Sequence, residues 1–337
     1  MTNVSANSTR QQKIDDAVKT AFGNAAWTYE EQLTGGLSTA NLHKITVNGN
    51  TYVVRIGEPN RAYHQLDREY TAMALAARHQ IAPAIYYADR QTGVLMMDFI
   101  AGQSLASFHF GDPQQLERFA QFIHKLHQLP AFPEDTPFSE KLDGLLALCV
   151  SDVQANDLVQ QGMTLKSDLA RLLADEEDKR PSHADINPTN LLFDGTRLWL
   201  IDWASATQQS FYFDLASASL FFFYQNDAIN DAFLRAYLKR PSTPVETAKY
   251  FLMRLFVSIY YGLIFLYLST QNKPQLLSQA EVDTLPEHSH FMQLVGEGKE
   301  NVATPRSQQK LGFIYLKTAL ASAQTSRFIQ AVTALHN

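Results

Sequence analysis

The stretch His183-Ala184-Asp185-Ile186-Asn187-Pro188-Thr189-Asn190 sets an aspartate and an asparagine in one loop, which its proline keeps out of helix. Asp202 follows at the end of the apolar run Leu198 to Ile201. Phosphoryl transfer from ATP needs hard cations bridging phosphate oxygens. Magnesium takes oxygen ligands, so an Asn amide oxygen and an Asp carboxylate held together suit it. Asn190 and Asp202 are therefore the candidate metal ligands. Asp185 can orient and deprotonate an acceptor hydroxyl, which makes it the candidate catalytic base. His183 is expected to brace the loop backbone instead of touching substrate. Asp and Asn before Pro favour turns whatever the function, so the reading depends on what else the chain supplies.

Upstream, residues 33–41 read LTGGLSTAN. Gly35, Gly36, Leu37 and Ser38 make a small-residue turn whose backbone amides can approach phosphate oxygens with no Cβ in the way. Arg55 ends the run from Tyr52 and can send its guanidinium toward the α- and β-phosphates. Glu69, on the helix that follows, can hold it by an ion pair. Glycine turn, strand cation, helix glutamate, catalytic loop and metal aspartate thus occur in the order a phosphotransferase needs.

The elements that must position these residues are legible. Ile14, Val18 and Phe22 recur at helical spacing before Gly23. Leu42 to Val47 and Thr51 to Ile56 flank Asn48-Gly49-Asn50 and read as a hairpin. Leu66, Tyr70, Met73, Ala74 and Ala77 form one stripe of a helix over 63–79. Strands over 84–88 and 94–99 flank Gln91-Thr92-Gly93 and complete a small sheet. Beyond Gly102 the pattern is helical over 116–129, 144–150 and 158–173, with a hairpin of 191–193 against 198–201. The expected fold is α+β and protein-kinase-like. Its two lobes are a β-rich nucleotide-binding lobe with one long helix over residues 1–100, and a mostly α-helical catalytic and acceptor-binding lobe over 101–337. Residues 269–309 are polar with scattered Pro and Gly, and are expected to form a surface excursion or a partly disordered segment.

In 337 residues, 45% are hydrophobic and 18% charged, so the chain can bury a core in each lobe. The net charge of -6 and the lack of a Lys/Arg cluster argue against nucleic acid and fit a cationic small substrate better. The lone Cys149 excludes an internal disulfide and reads as core. The apolar run Leu255 to Leu268 falls short of the ~18–20 residues of a membrane span, so a buried helix is expected there and no membrane partner. Residues 1–12 are polar, with no secretory pattern, and a cytoplasmic location is expected. Oligomeric state is not legible.

With these residues in hand, the chain resembles the aminoglycoside phosphotransferase and choline kinase superfamily, in its bacterial choline/ethanolamine kinase-like branch, over about residues 33–238. The matching motifs are GGLS followed by Asn41, Arg55 as strand cation, Leu126-His127-Gln128-Leu129, HADINPTN, LIDW and Tyr212-Phe213-Asp214-Leu215-Ala216. The resemblance implies ATP and Mg2+ as cofactors. It implies adenine binding at a hinge of Met96, Met97, Asp98 and Phe99, and Asp214 as a brace of the catalytic loop. It also implies an amino alcohol such as choline or ethanolamine, held among aromatic rings because ring faces carry negative potential. Trp203 and Tyr224 are the rings chosen for that role from a set that includes Phe222, Tyr260 and Tyr261. One departure is Ala204-Ser205, where many relatives carry an acidic residue after the DW or DF pair. Thiamine, an aminoglycoside, a sugar or homoserine are alternative acceptors, and a catalytically dead nucleotide-binding module is the alternative from another class. A protein kinase is disfavoured, because only residues 203–212 separate Asp202 from Phe213, too few for a segment that docks a polypeptide.

Overall fold

Asn48 and Gly49 stand at φ 50° and 80°, the left-handed pair that a tight hairpin turn requires. Val47 therefore pairs with Asn50, and this register runs through to Asn41 opposite Ile56. The computed structural model describes residues 2–33, 41–57, 63–102, 105, 108–224, 226–271 and 275–336. These form two compact units, Met1–Glu134 with Lys179–Asp214, and Asp135–Asp178 with Leu215–Asn337. The sheet and the catalytic loop thus share one unit.

In the first unit, β1 (Trp27–Leu33), β2 (Asn41–Val47), β3 (Asn50–Ile56), β4 (Ile85–Asp89) and β5 (Val94–Asp98) build a sheet in the order β1-β2-β3-β5-β4. Helix α1 (Thr2–Phe22) lays Ile14, Ala17 and Val18 on a core of Ile45, Val54 and Met96, all buried, and ends at Gly23 with φ 69°. Helix α2 (Tyr63–Arg78) buries the predicted stripe of Leu66, Tyr70 and Met73. After α3 (Pro113–His127), β6 (Lys179–Ser182) pairs with β9 (Thr207–Ser210), and β7 (Leu191–Phe193) with β8 (Leu198–Leu200).

The second unit is helical: α4 (Phe138–Leu148), α5 (Ser151–Gln154), α6 (Asp157–Leu172), α8 (Asp227–Leu238), α9 (Pro244–Thr270), α10 (Gln279–Asp283), α11 (His288–Gly296), α12 (Pro305–Ala323) and α13 (Ser326–His336). Helix α7 (Phe211–Ala218) carries the chain from the first unit into it. Helix α9 starts at a capping box of Thr243 and Glu246 with Pro244 in its first turn. It is long and apolar enough to cross a membrane, but 72% of its apolar window is buried, and α4, α6, α12 and α13 pack on it. Where α9 meets α12, a Cβ on Gly312 would come within 2.8 Å of Gly262 O, so the close approach of the two backbones requires glycine.

Two expectations gain detail. The polar segment expected to be a surface excursion or partly disordered contains α10 and α11 among its described residues. Ser278 and Glu281 form a capping box there, and Gln309 Oε1 accepts from Leu277 N at 2.8 Å. The run Leu255 to Leu268 lies within a much longer helix than its apolar length suggested. Cys149 is buried and free, and burial pushes its thiol up to about 11.

Candidate active site

The catalytic-loop motif folds back on itself through the side chains that define it. Asn190 Nδ2 donates to Asp185 Oδ2 at 2.8 Å and to Asp185 O at 3.0 Å, and Asn187 Nδ2 donates to Asp185 Oδ1 at 3.0 Å. The five-residue spacing thereby becomes a closed turn with the Asp185 carboxylate half-buried at its mouth. Asn190 spends its amide nitrogen inside the loop, which leaves its oxygen as the group able to meet a cation.

Asp202 is fixed by its neighbour. Ile201 N donates to Asn190 O, and Ile201 O accepts from His183 Nε2, both at 3.0 Å. The preceding residue is tied as well, since Leu200 N donates to Ile81 O at 2.8 Å. His183 thus clamps the segment that enters Asp202 and packs against Trp203 at 4.8 Å. Asp202 itself stands at φ 60°, a conformation costly for a side chain with a Cβ, and its carboxylate has no hydrogen bond or ion pair among the described residues. Ala184, beside Asp185, stands at φ 63°. What holds it is Asp214, fully buried, whose Oδ1 accepts from Ala184 N at 2.7 Å and whose Oδ2 accepts from His183 N at 2.9 Å. The His127 ring donates to the same carboxylate at 3.1 Å. One buried carboxylate therefore ties the LHxL helix to the catalytic loop.

Arg55 lies on β3, opposite Leu42 and Leu95, and its guanidinium forms a buried ion pair with Glu69 on α2. Burial alone would depress the guanidinium. The Glu69 carboxylate and the Tyr70 side chain beside it together more than offset this, so Arg55 stays above the ordinary arginine value. Its Nε and Nη2 are buried without hydrogen-bond partners among the described residues. Such orphaned donors are costly unless an anion meets them. Helix α2 reaches the segment that follows Asp202 too: Arg68 donates to Ala204 O at 2.9 Å. The sequence gives no local signal for that contact.

Gly35, Gly36, Leu37 and Ser38 lie outside the described residues. Of the hinge group, Met96 and Met97 sit in a strand paired on both sides, so their backbone polar groups serve the sheet. The N–H of Asp98 goes to Ala84 O and that of Phe99 to Thr51 O. The backbone groups expected to meet adenine over 96–99 are thus largely spent, and among the described residues the first unspent donor is Ile100. The Asp98 side chain hydrogen-bonds Tyr86, whose hydroxyl burial and this carboxylate push up to about 12.

The two aromatic candidates part company. Trp203 is fully buried, donates to Leu200 O at 3.1 Å, and packs on His183 and Phe132. No ring face is left for a ligand, so its assignment to an aromatic cage is withdrawn. Tyr224 lies in the second unit, on the wall of an open cleft of about 680 Å³, which Phe221, Phe222, His288, Met292 and Tyr315 also line. The chain enters this wall through a π-helical turn, Ser219–Phe223, a local distortion frequent at functional sites.

No group of three or more His, Cys, Asp or Glu able to hold a metal occurs among the described residues. A cation here would rely on Asn190, Asp202 and phosphate oxygens, the donor set magnesium commonly takes.

Among solved structures, the chain is similar to a choline/ethanolamine kinase family protein of Mesorhizobium loti (18% identity, TM-score 0.62, covering 96% of this chain and 99% of that one). It is similar to the choline kinase LicA of Streptococcus pneumoniae (17% identity, TM-score 0.61, 82% and 95%). It is also similar to a spectinomycin phosphotransferase solved with ADP and spectinomycin (12% identity, TM-score 0.56, 93% and 98%). At these identities the likeness is one of fold, and the fold is the protein-kinase-like α+β fold. No curated protein matches the chain in sequence. The model of the phosphotransferase enzyme family matches residues 30–250, a span that holds Arg55, Glu69, Asp185, Asn190 and Asp202, and the chain belongs to that family.

Proposed function

We propose that the protein is an ATP- and magnesium-dependent phosphotransferase that phosphorylates a hydroxyl group of a small molecule. Residues 1–100 serve as the nucleotide-binding lobe, and 101–337 as the catalytic and acceptor-binding lobe. The observation that carries the reading is the joined loop: Asp185 and Asn190 bonded to each other, Asn190 bonded through its backbone to Ile201, and Asp202, unpaired among the described residues, next in the chain. Asp185 accepts the proton of the acceptor hydroxyl as its oxygen bonds to the γ-phosphorus. The bond to the bridging oxygen breaks, and ADP leaves with that electron pair. Bound magnesium supplies charge neutralisation, and Asn190 Oδ1 with the Asp202 carboxylate would hold it. Arg55, kept in place by Glu69, is the phosphate-binding cation of this reading, its Nε and Nη2 being buried without hydrogen-bond partners among the described residues, and Gly35, Gly36, Leu37 and Ser38 are its phosphate-binding turn. Adenine meets backbone at the end of β5, from Asp98 to Ile100.

For the acceptor, an amino alcohol such as choline or ethanolamine is the leading reading, supported by the names of the Mesorhizobium and Streptococcus proteins. Another small alcohol, such as thiamine, an aminoglycoside, a sugar or homoserine, is the second reading, supported by the name of the spectinomycin phosphotransferase. Coupled ADP release with magnesium-ATP tests both, using choline, ethanolamine, thiamine, homoserine, sugars and aminoglycosides, with Asp185→Ala as control. Turnover that survives in the control would sink the assignment of Asp185. Bound ATP with no turnover on any acceptor would favour a regulatory module.

A further inference from the structure

Asp202 holds a left-handed backbone, φ 60°, which is costly for a residue with a Cβ and persists where the surrounding structure imposes it. On the entering side three hydrogen bonds do so: Leu200 N to Ile81 O at 2.8 Å, Ile201 N to Asn190 O at 3.0 Å, and His183 Nε2 to Ile201 O at 3.0 Å. On the leaving side the chain makes one 3-10 turn, Trp203–Ser205, closed by Ala206 N donating to Trp203 O at 3.1 Å. A turn this short has poor hydrogen-bond geometry of its own. Helix α2 packs on it, and the half-buried Arg68 donates to Ala204 O at 2.9 Å. The acceptor is a backbone carbonyl two residues beyond Asp202, so this charge-assisted bond fixes main chain.

The same helix has a second attachment. Glu69, the next residue, forms the buried ion pair with Arg55. Neighbouring residues of an α-helix point about 100° apart, so Arg68 and Glu69 reach two different elements from one turn of α2. Just past the end of that helix, Ile81 O takes Leu200 N. Contacts from α2 and its C-terminal extension thus bracket Asp202, two residues before it and two after, and all of these elements belong to the first unit.

We infer that Arg68 is a positioning residue for Asp202. It holds the turn that follows the aspartate and so keeps the carboxylate where a cation is to meet it, while the adjoining Glu69 holds the phosphate cation from the same helix. The inference rests on the phosphotransferase reading, which gives Asp202 its metal.

The test is calorimetric titration of ADP into the full chain, once with magnesium and once with EDTA, so that no turnover is needed. Arg68→Met keeps the aliphatic stem and loses every donor. Arg68→Gln, too short to reach the carbonyl, replaces it should Arg68→Met fail to fold. Arg68→Lys keeps the charge and a donor. In the native protein magnesium should tighten ADP binding. In Arg68→Met that gain should shrink at least about fivefold while the metal-free Kd stays within about twofold of native, and Arg68→Lys should recover part of the gain. Hydrogen exchange of the ligand-free proteins gives a second readout: amides of Ile201 to Ala206 should exchange at least about threefold faster in Arg68→Met. A magnesium gain within about twofold of native in the loss variant would overturn the inference. So would an equal loss with and without the metal, which marks a residue that merely supports the fold. Either result leaves the phosphotransferase reading standing, because the native protein still shows its magnesium gain. A native protein whose ADP binding ignores magnesium would sink that reading, and the inference with it.

Discussion

Asp214→Asn is the perturbation that most directly tests how the catalytic loop is held. Two oxygens serve three donors: Oδ1 takes Ala184 N at 2.7 Å, and Oδ2 takes His183 N and His127 Nε2 at 2.9 and 3.1 Å. An asparagine fits the same space but brings one oxygen and one NH2. In its better orientation the amide oxygen keeps His183 and His127, and the NH2 confronts the Ala184 N–H. One charge-assisted bond worth about 1.5–3 kcal/mol is lost, and two others weaken to the neutral range of about 0.5–1.5 kcal/mol. With no water to compensate at a fully buried site, the cost is about 3–5 kcal/mol. For domains of this size that lowers Tm by roughly 6–20 °C. The lost bond is the one that holds Ala184 at φ 63°, so the backbone is free to relax and Asp185 turns with it. Measured well below the melting transition, kcat should fall at least about tenfold, a loss of about 1.4 kcal/mol in the barrier. KM for ATP should change little. Differential scanning fluorimetry and coupled ADP release read both quantities. A variant that melts within about 2 °C of native and keeps kcat within about twofold would refute the argument.

Glu69→Gln leaves Arg55 charged and unpaired in the interior and should cost about 3–5 kcal/mol of stability. Arg55→Met with Glu69→Leu should recover most of that stability while ATP affinity stays lost, so recovery of affinity along with stability would contradict a phosphate role for Arg55. Asp202→Asn should abolish the magnesium-dependent rise in Tm seen with ADP, and an undiminished rise would remove Asp202 from the metal site. His288 has its folded value pushed from 6.5 down to about 4 by burial. Between those values the unfolded chain takes up a proton that the folded protein refuses, so stability is complete above pH 6.5 and falls, by about 3 kcal/mol in all, as pH drops to 4. His288→Phe should flatten this window in urea titrations, and equal slopes in the two proteins would show that His288 is not its source.

Much of this was legible because it is local. The hairpin about Asn48-Gly49 needs only its turn residues, and the Asp185 to Asn190 loop closes on its own side chains. Strand β1 escaped because five of its seven residues are exposed, so it carries no apolar alternation to read. Helices α10 and α11 hide in polar sequence, although Ser278-x-x-Glu281 is a capping signal in plain view. Trp203 misled because the left-handed turn at Asp202 decides where the next side chain goes, and no composition rule reports a φ of 60°.

The acceptor chemistry is illegible for a deeper reason. Read along the chain, Tyr224 and Asp227 are a ring and an acid three residues apart, which suits an ammonium. In the folded second unit that acid belongs to Arg254 on α9 and Arg327 on α13, and the ring lies against His288 from α11 and Tyr315 from α12. Each of these partners is remote in sequence, and none belongs to a motif. Phosphoryl transfer must place a few oxygens at fixed separations, so its residues stay clustered within two short loops. Choice of acceptor depends on the net charge and shape of a cleft, which any distant helix can alter by one side chain. For that reason the family follows from the motifs, whereas the acceptor is chosen by side chains that only the fold brings together.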